Sequence, residues 1–387
     1  MKKILLLAAC AAMFTSAFAD TTADGYTITK STDVAWPATS ATSDCRQGFG
    51  MNNKFYIQNK AEQQVQVYDL TGKLVSSIPS ANATGISFDQ AGNLVISLCE
   101  FPGSFRTDTA QIKVVSADGK TVKNYNLPAD TLIKGRSDFL GVAEGNMLTD
   151  GTLYLVGQIT GIPNTVVGVL SVADGELDAD NSYKADAPGV VSSTSTVIMP
   201  WQPVGSEDMH YLYVTRNATP FDMVKDGDNF KVTGITLPNK GACNGAFPFV
   251  YGGKNYIAYP TLANYRDGFA VAEITFNADG TISAGDAPVM QVNAVATANA
   301  NDFQADWITV EPSTQTIYQI YPGGNLRTYK FTAPQTTGVN DVTTAKTVKN
   351  VTYVNALGMQ SAEPFEGVNI VVTNYTDGSH TSTKVMK

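Results

Sequence analysis

Residues 85–97 read GISFDQAGNLVIS, and this stretch shows the unit from which most of the chain is built. Its two short apolar segments, 85–88 and 94–97, flank a polar turn, which is the pattern of a β-hairpin. Residues 112–124, IKVVSADGKTVKN, repeat the pattern, and their Asp118-Gly119 pair readily adopts the positive φ angles of a tight turn. Two hairpins in succession predict a sheet of four antiparallel strands, which we label A to D.

The same order of segments recurs along the chain at intervals of about 40 to 60 residues, as propeller blades do. The segments that resemble strand B are 55–58, 94–97, 153–156, 211–214, 256–259 and 317–320. We count six repeats between about Cys45 and Ala333. The sequence therefore predicts an all-β fold, a six-bladed β-propeller. A seventh blade remains open, because the connections around residues 172–191 are long and irregular.

Closure of the ring depends on the N-terminal segment. The last repeat supplies three strands and then reaches Thr332-Ala333-Pro334 without an evident fourth. The strand-like segment Tyr26 to Lys30 has no repeat of its own. If it pairs as the outer strand of the last blade, the ring closes and an exposed sheet edge disappears.

The N-terminus has the pattern of a secretory signal peptide. Lys2 and Lys3 precede an apolar run, 4–14, that is too short to remain as a membrane span, and Ala17-Phe18-Ala19 offers a cleavage site. Residues 7–10 also resemble a lipoprotein cleavage site, but the short apolar run before Cys10 favours cleavage after Ala19. We expect residues 1–19 to be removed and the protein to be secreted, extracellular or on the outer cell surface.

Charge and composition restrict the partners. Without Lys2 and Lys3 the chain has 24 basic and 35 acidic residues, a net charge of −11. An acidic chain with no basic cluster argues against nucleic acid or anionic lipid as a partner. No later segment is apolar enough to span a membrane, and we expect a monomer.

The cysteines left after signal removal are Cys45, Cys99 and Cys243. Their spacings match no zinc-binding pattern. An oxidising compartment would allow one disulfide with one thiol left over, and three buried thiols are an equal alternative.

Beyond Pro334 the composition changes. Residues 335–348 are rich in Thr and predict a linker, and residues 349–387 carry four spaced motifs. These are Tyr-x-Asn-x-x-Gly at 353–358, EGVNIVV at 366–372, Tyr-x-Asp-Gly at 375–378 and Lys-Val-x-Lys at 384–387. In this order they resemble the C-terminal sorting domains of bacterial type IX secretion, although the first strands of the fuller domain are missing. The resemblance implies export and surface attachment. A plain β module packed on the propeller is the alternative.

Candidate binding residues gather in the connections that lead from D to A and from B to C, which emerge at one end of a propeller. Arginines, aromatic residues and acids are concentrated there, and such side chains suit sugars, peptides or carboxylates. The predicted ligand-binding residues are Arg46, Arg136, Asp138, Asn244, Arg216, Tyr265, Arg266, Gln304 and Asp306. Alternatively, Arg46 and Arg136 pair with Asp138 or Asp306 to hold blades together.

The sequence contains few histidines that could take part in catalysis. The only histidines are His210 and His380, which argues against histidine-dependent triads and His-rich zinc sites. The leading hypothesis is therefore an exported non-enzymatic propeller that binds a glycan, peptide or protein ligand, with no cofactor. The alternative is a carboxylate- and divalent-ion-dependent hydrolase or lactonase. Gluconolactonase-like propellers hold such an ion with Glu, Asn and Asp, and Asn244, Asp138 and Asp306 could imitate that calcium site.

Overall fold

A computed structural model places most of the chain. It describes residues 21–37, 45–98, 111–127, 139–156, 163–191, 196–215, 219–238, 245–261, 268–277, 279–293, 307–322, 324–334, 348–355, 359–376 and 380–387. The chain divides into two compact units, Met1–Pro334 and Gln335–Lys387. All regular elements of the described residues are β-strands. None of these residues forms a helix long and apolar enough to cross a membrane.

Two short N-terminal strands precede the first sheet, β1 (Thr21–Thr22) and β2 (Thr27–Ala35). Six sheets of the first unit then follow in chain order, with strands A to D paired as antiparallel neighbours. Sheet 1 contains β3 (Cys45–Met51), β4 (Lys54–Asn59), β5 (Gln64–Asp69) and β6 (Leu74–Pro79). Sheet 2 contains β7 (Ala83–Phe88), β8 (Leu94–Leu98), β9 (Gln111–Val115) and β10 (Val122–Asn126). Sheet 3 contains β11 (Glu144–Gly145), β12 (Gly151–Val156), β13 (Pro163–Ala173) and β14 (Glu176–Val191).

Three further sheets complete the unit, and the last two of them pair with the N-terminal strands. Sheet 4 contains β15 (Val197–Trp201), β16 (His210–Val214), β17 (Phe221–Asp226) and β18 (Asn229–Gly234). Sheet 5 contains β19 (Phe247–Tyr251), β20 (Lys254–Pro260), β21 (Phe269–Phe276), and a divided outer strand, β22 (Ile282–Ala284) and β23 (Met290–Val292). Sheet 6 contains β24 (Trp307–Glu311), β25 (Thr316–Ile320) and β26 (Asn325–Thr332).

The N-terminal segment closes the last sheet, as predicted. Strand β2 pairs with β26 from Thr27↔Thr332 to Ala35↔Asn325 and serves as the fourth strand of sheet 6. The pairing extends five residues beyond the segment identified in the sequence. In addition β1 pairs with β23, which joins the N-terminus to sheet 5 as well.

The six sheets form a closed ring, which defines a six-bladed β-propeller. The inner strand β3 contacts β7 of sheet 2 and β24 of sheet 6, and β15 contacts β12 of sheet 3 and β19 of sheet 5. Strand β19 contacts β24. Sheets 2 and 3 meet through the bridge between Asp89 and Ala143. Every sheet therefore touches its neighbour on both sides, and the count is six rather than seven.

Burial follows this geometry. All residues of the inner strands β7, β15 and β24 are buried, whereas the outer strand β6 is mostly exposed and half of the residues of β18 are exposed. The D-to-A and B-to-C connections share one end of the ring, which we call the loop face. The A-to-B and C-to-D turns share the other, which we call the turn face.

The inner strand of sheet 3 is short. Residues 139–142 have the apolar composition of an inner strand, but the strand that pairs with β12 on this side is the two-residue β11. The preceding segment is drawn toward sheet 2, where the Ala143 N–H donates to Phe88 O at 2.9 Å. Gly141 also lies so close to sheet 4 that an added Cβ would overlap Ile198 O.

The second unit is a separate four-stranded antiparallel sheet with the order β28-β27-β29-β30. Its strands are β27 (Val348–Asn355), β28 (Gln360–Ser361), β29 (Val368–Tyr375) and β30 (His380–Met386). Two asparagines of the motifs in this segment support its turns. Asn355 Oδ1 accepts from Met359 N at 3.0 Å, and buried Asn369 bonds to both N and O of Phe365 at 2.8 and 2.7 Å.

Candidate functional site

The structure does not describe the side chains of the predicted ligand-binding residues. Arg46 lies in β3, but its side chain is outside the described residues. The other eight, Arg136, Asp138, Arg216, Asn244, Tyr265, Arg266, Gln304 and Asp306, lie wholly outside them. Their grouping at one site therefore stays a prediction.

The floor beneath the loop face is described, and it is aromatic. Phe139 follows the D-to-A connection that leads to sheet 3, and Trp307 begins the inner strand of sheet 6. Although these two sheets lie opposite each other in the propeller, the two side-chain rings are only 4.9 Å apart. Phe49 of sheet 1 similarly approaches Phe247 of sheet 5 at 6.1 Å. Aromatic pairs at such distances pack favourably. Phe139 and Trp307 lie at the loop-face end of the ring centre, whereas Phe49 lies near the other end of β3, beside Phe88 at the end of β7.

Both tryptophans of the inner strands, Trp201 and Trp307, are packing residues. Trp307 is 1% exposed and Trp201 is 6% exposed, so neither offers a face for a sugar. The Trp307 Nε1 atom is buried without a hydrogen-bond partner among the described residues. A buried donor without a partner is costly, and this one lies at the loop-face end of its strand.

Gln47, next to Arg46 in the sequence, joins three blades. Its Nε2 donates to Leu140 O at 2.9 Å, and its Oε1 accepts from Ile86 N at 2.8 Å and Leu140 N at 3.1 Å. The side chain is 1% exposed. Gln47 therefore positions the inner strands and is unavailable to a ligand.

An ion pair stabilises the closing strand of sheet 6. Arg327 Nε donates to Asp33 Oδ1 at 3.0 Å, joining β26 to β2. Burial alone would raise the pKa of Asp33, but hydrogen bonds from Lys30, Asn325 and Arg327 outweigh it and lower the pKa to about 2.

A Ser–His–Asp arrangement occurs at the turn face of sheet 4, although the small number of histidines in the sequence argued against histidine-dependent triads. His210 Nδ1 lies 2.7 Å from Asp222 Oδ2, and His210 Nε2 lies 2.9 Å from Ser206 Oγ. Because His210 faces Val224 across the ladder and Leu212 faces Asp222, His210 and Asp222 project from the same side of neighbouring strands. The structure therefore brings a single histidine between a carboxylate and a hydroxyl, an arrangement that the spacing of these residues in the sequence did not indicate.

The exposure of these three residues increases from Asp222 to Ser206. Asp222 is 3% and His210 7% exposed, whereas Ser206 in the turn is half-buried. The His210 ring packs edge-on against Phe276 of sheet 5 at 4.9 Å and lies 6.3 Å from Trp201. Burial raises the pKa of the Asp222 carboxyl, although the nearby His210 and Trp201 side chains act to lower it. Trp201 Nε1 has no hydrogen bond of normal geometry among the described residues.

The described residues contain no group of three or more His, Cys, Asp or Glu side chains that could hold a metal ion. The predicted calcium ligands Asp138, Asn244 and Asp306 lie outside them. Cys45 is a buried free thiol whose pKa is raised by burial, and Cys99 and Cys243 are likewise outside the described residues.

Comparison with known proteins finds similarity of fold. No family model matches the sequence, and no curated protein matches it either. Solved structures that resemble it include a gluconolactonase from Xanthomonas campestris, with 12% identity over 81% of this chain and 98% of that one and a TM-score of 0.43. A protein of unknown function from Bacteroides thetaiotaomicron has 14% identity over 79% and 76% of the two chains and a TM-score of 0.47. An auxiliary nutrient binding protein from Bacteroides ovatus has 10% identity over 80% and 77% and a TM-score of 0.46.

Proposed function

We propose that the protein is an exported binding propeller that engages a glycan, peptide or protein ligand at its loop face. The observation that supports this most is the closed ring of six sheets. It gives the D-to-A and B-to-C connections a common end, although they are scattered along the sequence from Arg46 to Asp306. Loops on a rigid scaffold are common binding positions.

The aromatic floor gives the proposed site its shape. Since Phe139 and Trp307 meet across the axis, a ligand would rest on the inner strands and be held from the sides by the loops. Arginine and tyrosine side chains in those loops would then supply directional donors and flat contact area.

Binding of the purified full chain to a glycan array and to a peptide library tests this proposal. We expect Arg136→Ala and Arg266→Ala each to weaken a positive interaction about tenfold or more, as loss of a central contact does. Lys120→Ala is the matched control, because Lys120 is a basic residue 83% exposed at its side chain in a C-to-D turn on the opposite face. Unchanged binding in both arginine variants would contradict the site. One tightly bound calcium per chain would favour the hydrolase or lactonase alternative.

The proposal includes export, with residues 1–19 as signal peptide and residues 349–387 as sorting tail. The structural role of the motif residues Asn355 and Asn369 is compatible with a folded tail that a secretion machinery reads as a unit. Fractionation of cells that produce the chain with and without residues 349–387 tests this, and surface display of the shortened chain would contradict it.

A further inference from the structure

We propose that Ser206 is a nucleophile for acyl transfer from small esters, with His210 as general base and Asp222 as the carboxylate that orients it. This site lies at the turn face of sheet 4 and is separate from the proposed ligand face.

The hydrogen bonds set the histidine tautomer. Asp222 as a carboxylate can only accept, so Nδ1 of His210 carries the hydrogen and Nε2 retains its lone pair. That lone pair faces the Ser206 hydroxyl at 2.9 Å. A hydroxyl bonded to a base that is itself oriented by a third group is the arrangement of an activated nucleophile.

The turn that carries Ser206 is fixed from both sides. Gln202 Nε2 donates to Ser206 O at 2.7 Å and to Asp208 O at 2.9 Å, which closes the turn on itself. From sheet 5, Asn255 bonds to N and O of Val204 at 2.7 and 3.2 Å. A nucleophile held by neighbouring elements loses less entropy on reaching the geometry of attack.

The position is also open to a reactant. Ser206 is half-buried, and a Cβ built at the adjacent Gly205, whose φ is +89°, would meet no atom within 4 Å. The half-exposed Val204 lies beside it as an apolar contact. A short acyl group can therefore approach from solvent, whereas the base and its carboxylate are shielded by Trp201 and Phe276.

The reaction follows the usual course of acyl transfer. Ser206 Oγ attacks the ester carbonyl while its proton passes to His210 Nε2, and the tetrahedral intermediate collapses as the alcohol leaves with that proton. Water then attacks the acyl-serine with His210 again as base, which releases the carboxylic acid and restores the hydroxyl. The Asp208 N–H donates to Ser206 Oγ at 3.1 Å and helps to hold the hydroxyl in position.

The first test is covalent labelling of the full chain with a fluorophosphonate, in which the serine oxygen displaces fluoride from phosphorus. Mass spectrometry of the digested protein should place the adduct on Ser206. Ser206→Ala should abolish the adduct. Ser182→Ala should not, because the half-buried Ser182 hydroxyl accepts from Ser171 N and donates to Asp178 O, and neither partner is a base that could activate it. An unlabelled Ser206 in the folded protein would overturn the proposal.

The second test is hydrolysis of p-nitrophenyl acetate. We expect Ser206→Ala to reduce the rate to the background, and Asp222→Asn to reduce it about 100-fold or more while circular dichroism shows an unchanged fold. If Asp222→Asn does not fold, the labelling and hydrolysis results for Ser206→Ala decide alone. Equal rates for Ser206→Ala and the unmodified protein would show that the arrangement only supports the turn.

Discussion

Buried polar side chains determine how the blades of this propeller meet. Gln47 bonds to sheet 2 and to the segment before sheet 3 from sheet 1, and Asn255 holds the turn of sheet 4 from sheet 5. Within sheet 6, Arg327 joins β26 to the closing strand β2. Gln47 satisfies backbone groups of the buried Ile86 and Leu140 that would otherwise have no partner, a cost of about 1–3 kcal/mol per group. Single residues therefore connect elements that are distant in sequence.

Asp33 makes one such connection dependent on pH. The pKa of its carboxyl in the folded protein, about 2, lies below the ordinary value of 3.8, so its contribution to stability is present above about pH 4 and is lost as the pH falls toward 2. We expect Asp33→Asn to lower the free energy of unfolding at pH 6. On acidification toward pH 2, this variant should lose less of its free energy of unfolding than the unmodified protein does.

Urea denaturation between pH 6 and pH 2 measures this effect. Asp24→Asn serves as control, since Asp24 is an exposed acid of the same N-terminal segment. A parallel pH dependence for Asp33→Asn and the unmodified protein would show that the Arg327 contact contributes nothing.

At the level of strands, close approach between neighbouring blades requires small residues. Gly50 of β3 lies against the ring of Tyr318 in sheet 6, where an added Cβ would fall 2.1 Å from Tyr318 Cγ. Tyr318 is fully buried and its hydroxyl donates to Glu311 at 2.8 Å, so the ring has little freedom to move. Sheets 1 and 6 can therefore pack at this distance only over a glycine.

Gly50→Ala should accordingly destabilise the propeller by about 3 kcal/mol, in the range of overpacked cores. Gly234→Ala, at the end of β18, should change stability by less than about 0.5 kcal/mol, because a Cβ there meets no atom within 4 Å. Denaturant midpoints of the two variants give the comparison. Similar midpoints would mean that sheet 1 can shift away from sheet 6 without cost.

Over the whole molecule, the ring depends on its N-terminal strand. Strand β2 covers the edge of β26 and connects the beginning of the unit to its last sheet, while β1 adds to sheet 5. Without them β26 would have an unpaired edge, which invites association with other chains.

Deletion of residues 21–35 should therefore lower the thermal midpoint by more than about 10 °C and promote aggregation. Deletion of residues 380–387 is the control, because β30 pairs only with β29 in the tail sheet. Scanning calorimetry with light scattering follows both properties. A soluble ring with its normal midpoint after the first deletion would contradict closure by β2.

Much of the architecture follows from local chemistry. The Asp118-Gly119 turn and the segments beside it define their hairpin without help from distant residues. The place of the strand-like segment at Tyr26 could also be predicted, because the last blade lacks a strand. Both predictions are confirmed. The grouping of the proposed ligand-binding residues remains a prediction. The order of the strands tells which connections share an end of the ring, but not which side chains in those connections touch one another.

Tertiary contacts determine the remaining features. Residues 139–142 have the composition of a strand, yet the contacts of Ala143 and Gly141 with sheets 2 and 4 draw them out of the ladder. Ser206, His210 and Asp222 carry no recognisable spacing, because strand register and the turn geometry of one blade bring them together. Hairpins are local and can be read along the chain, whereas the partners of a buried polar group come from register and from neighbouring blades.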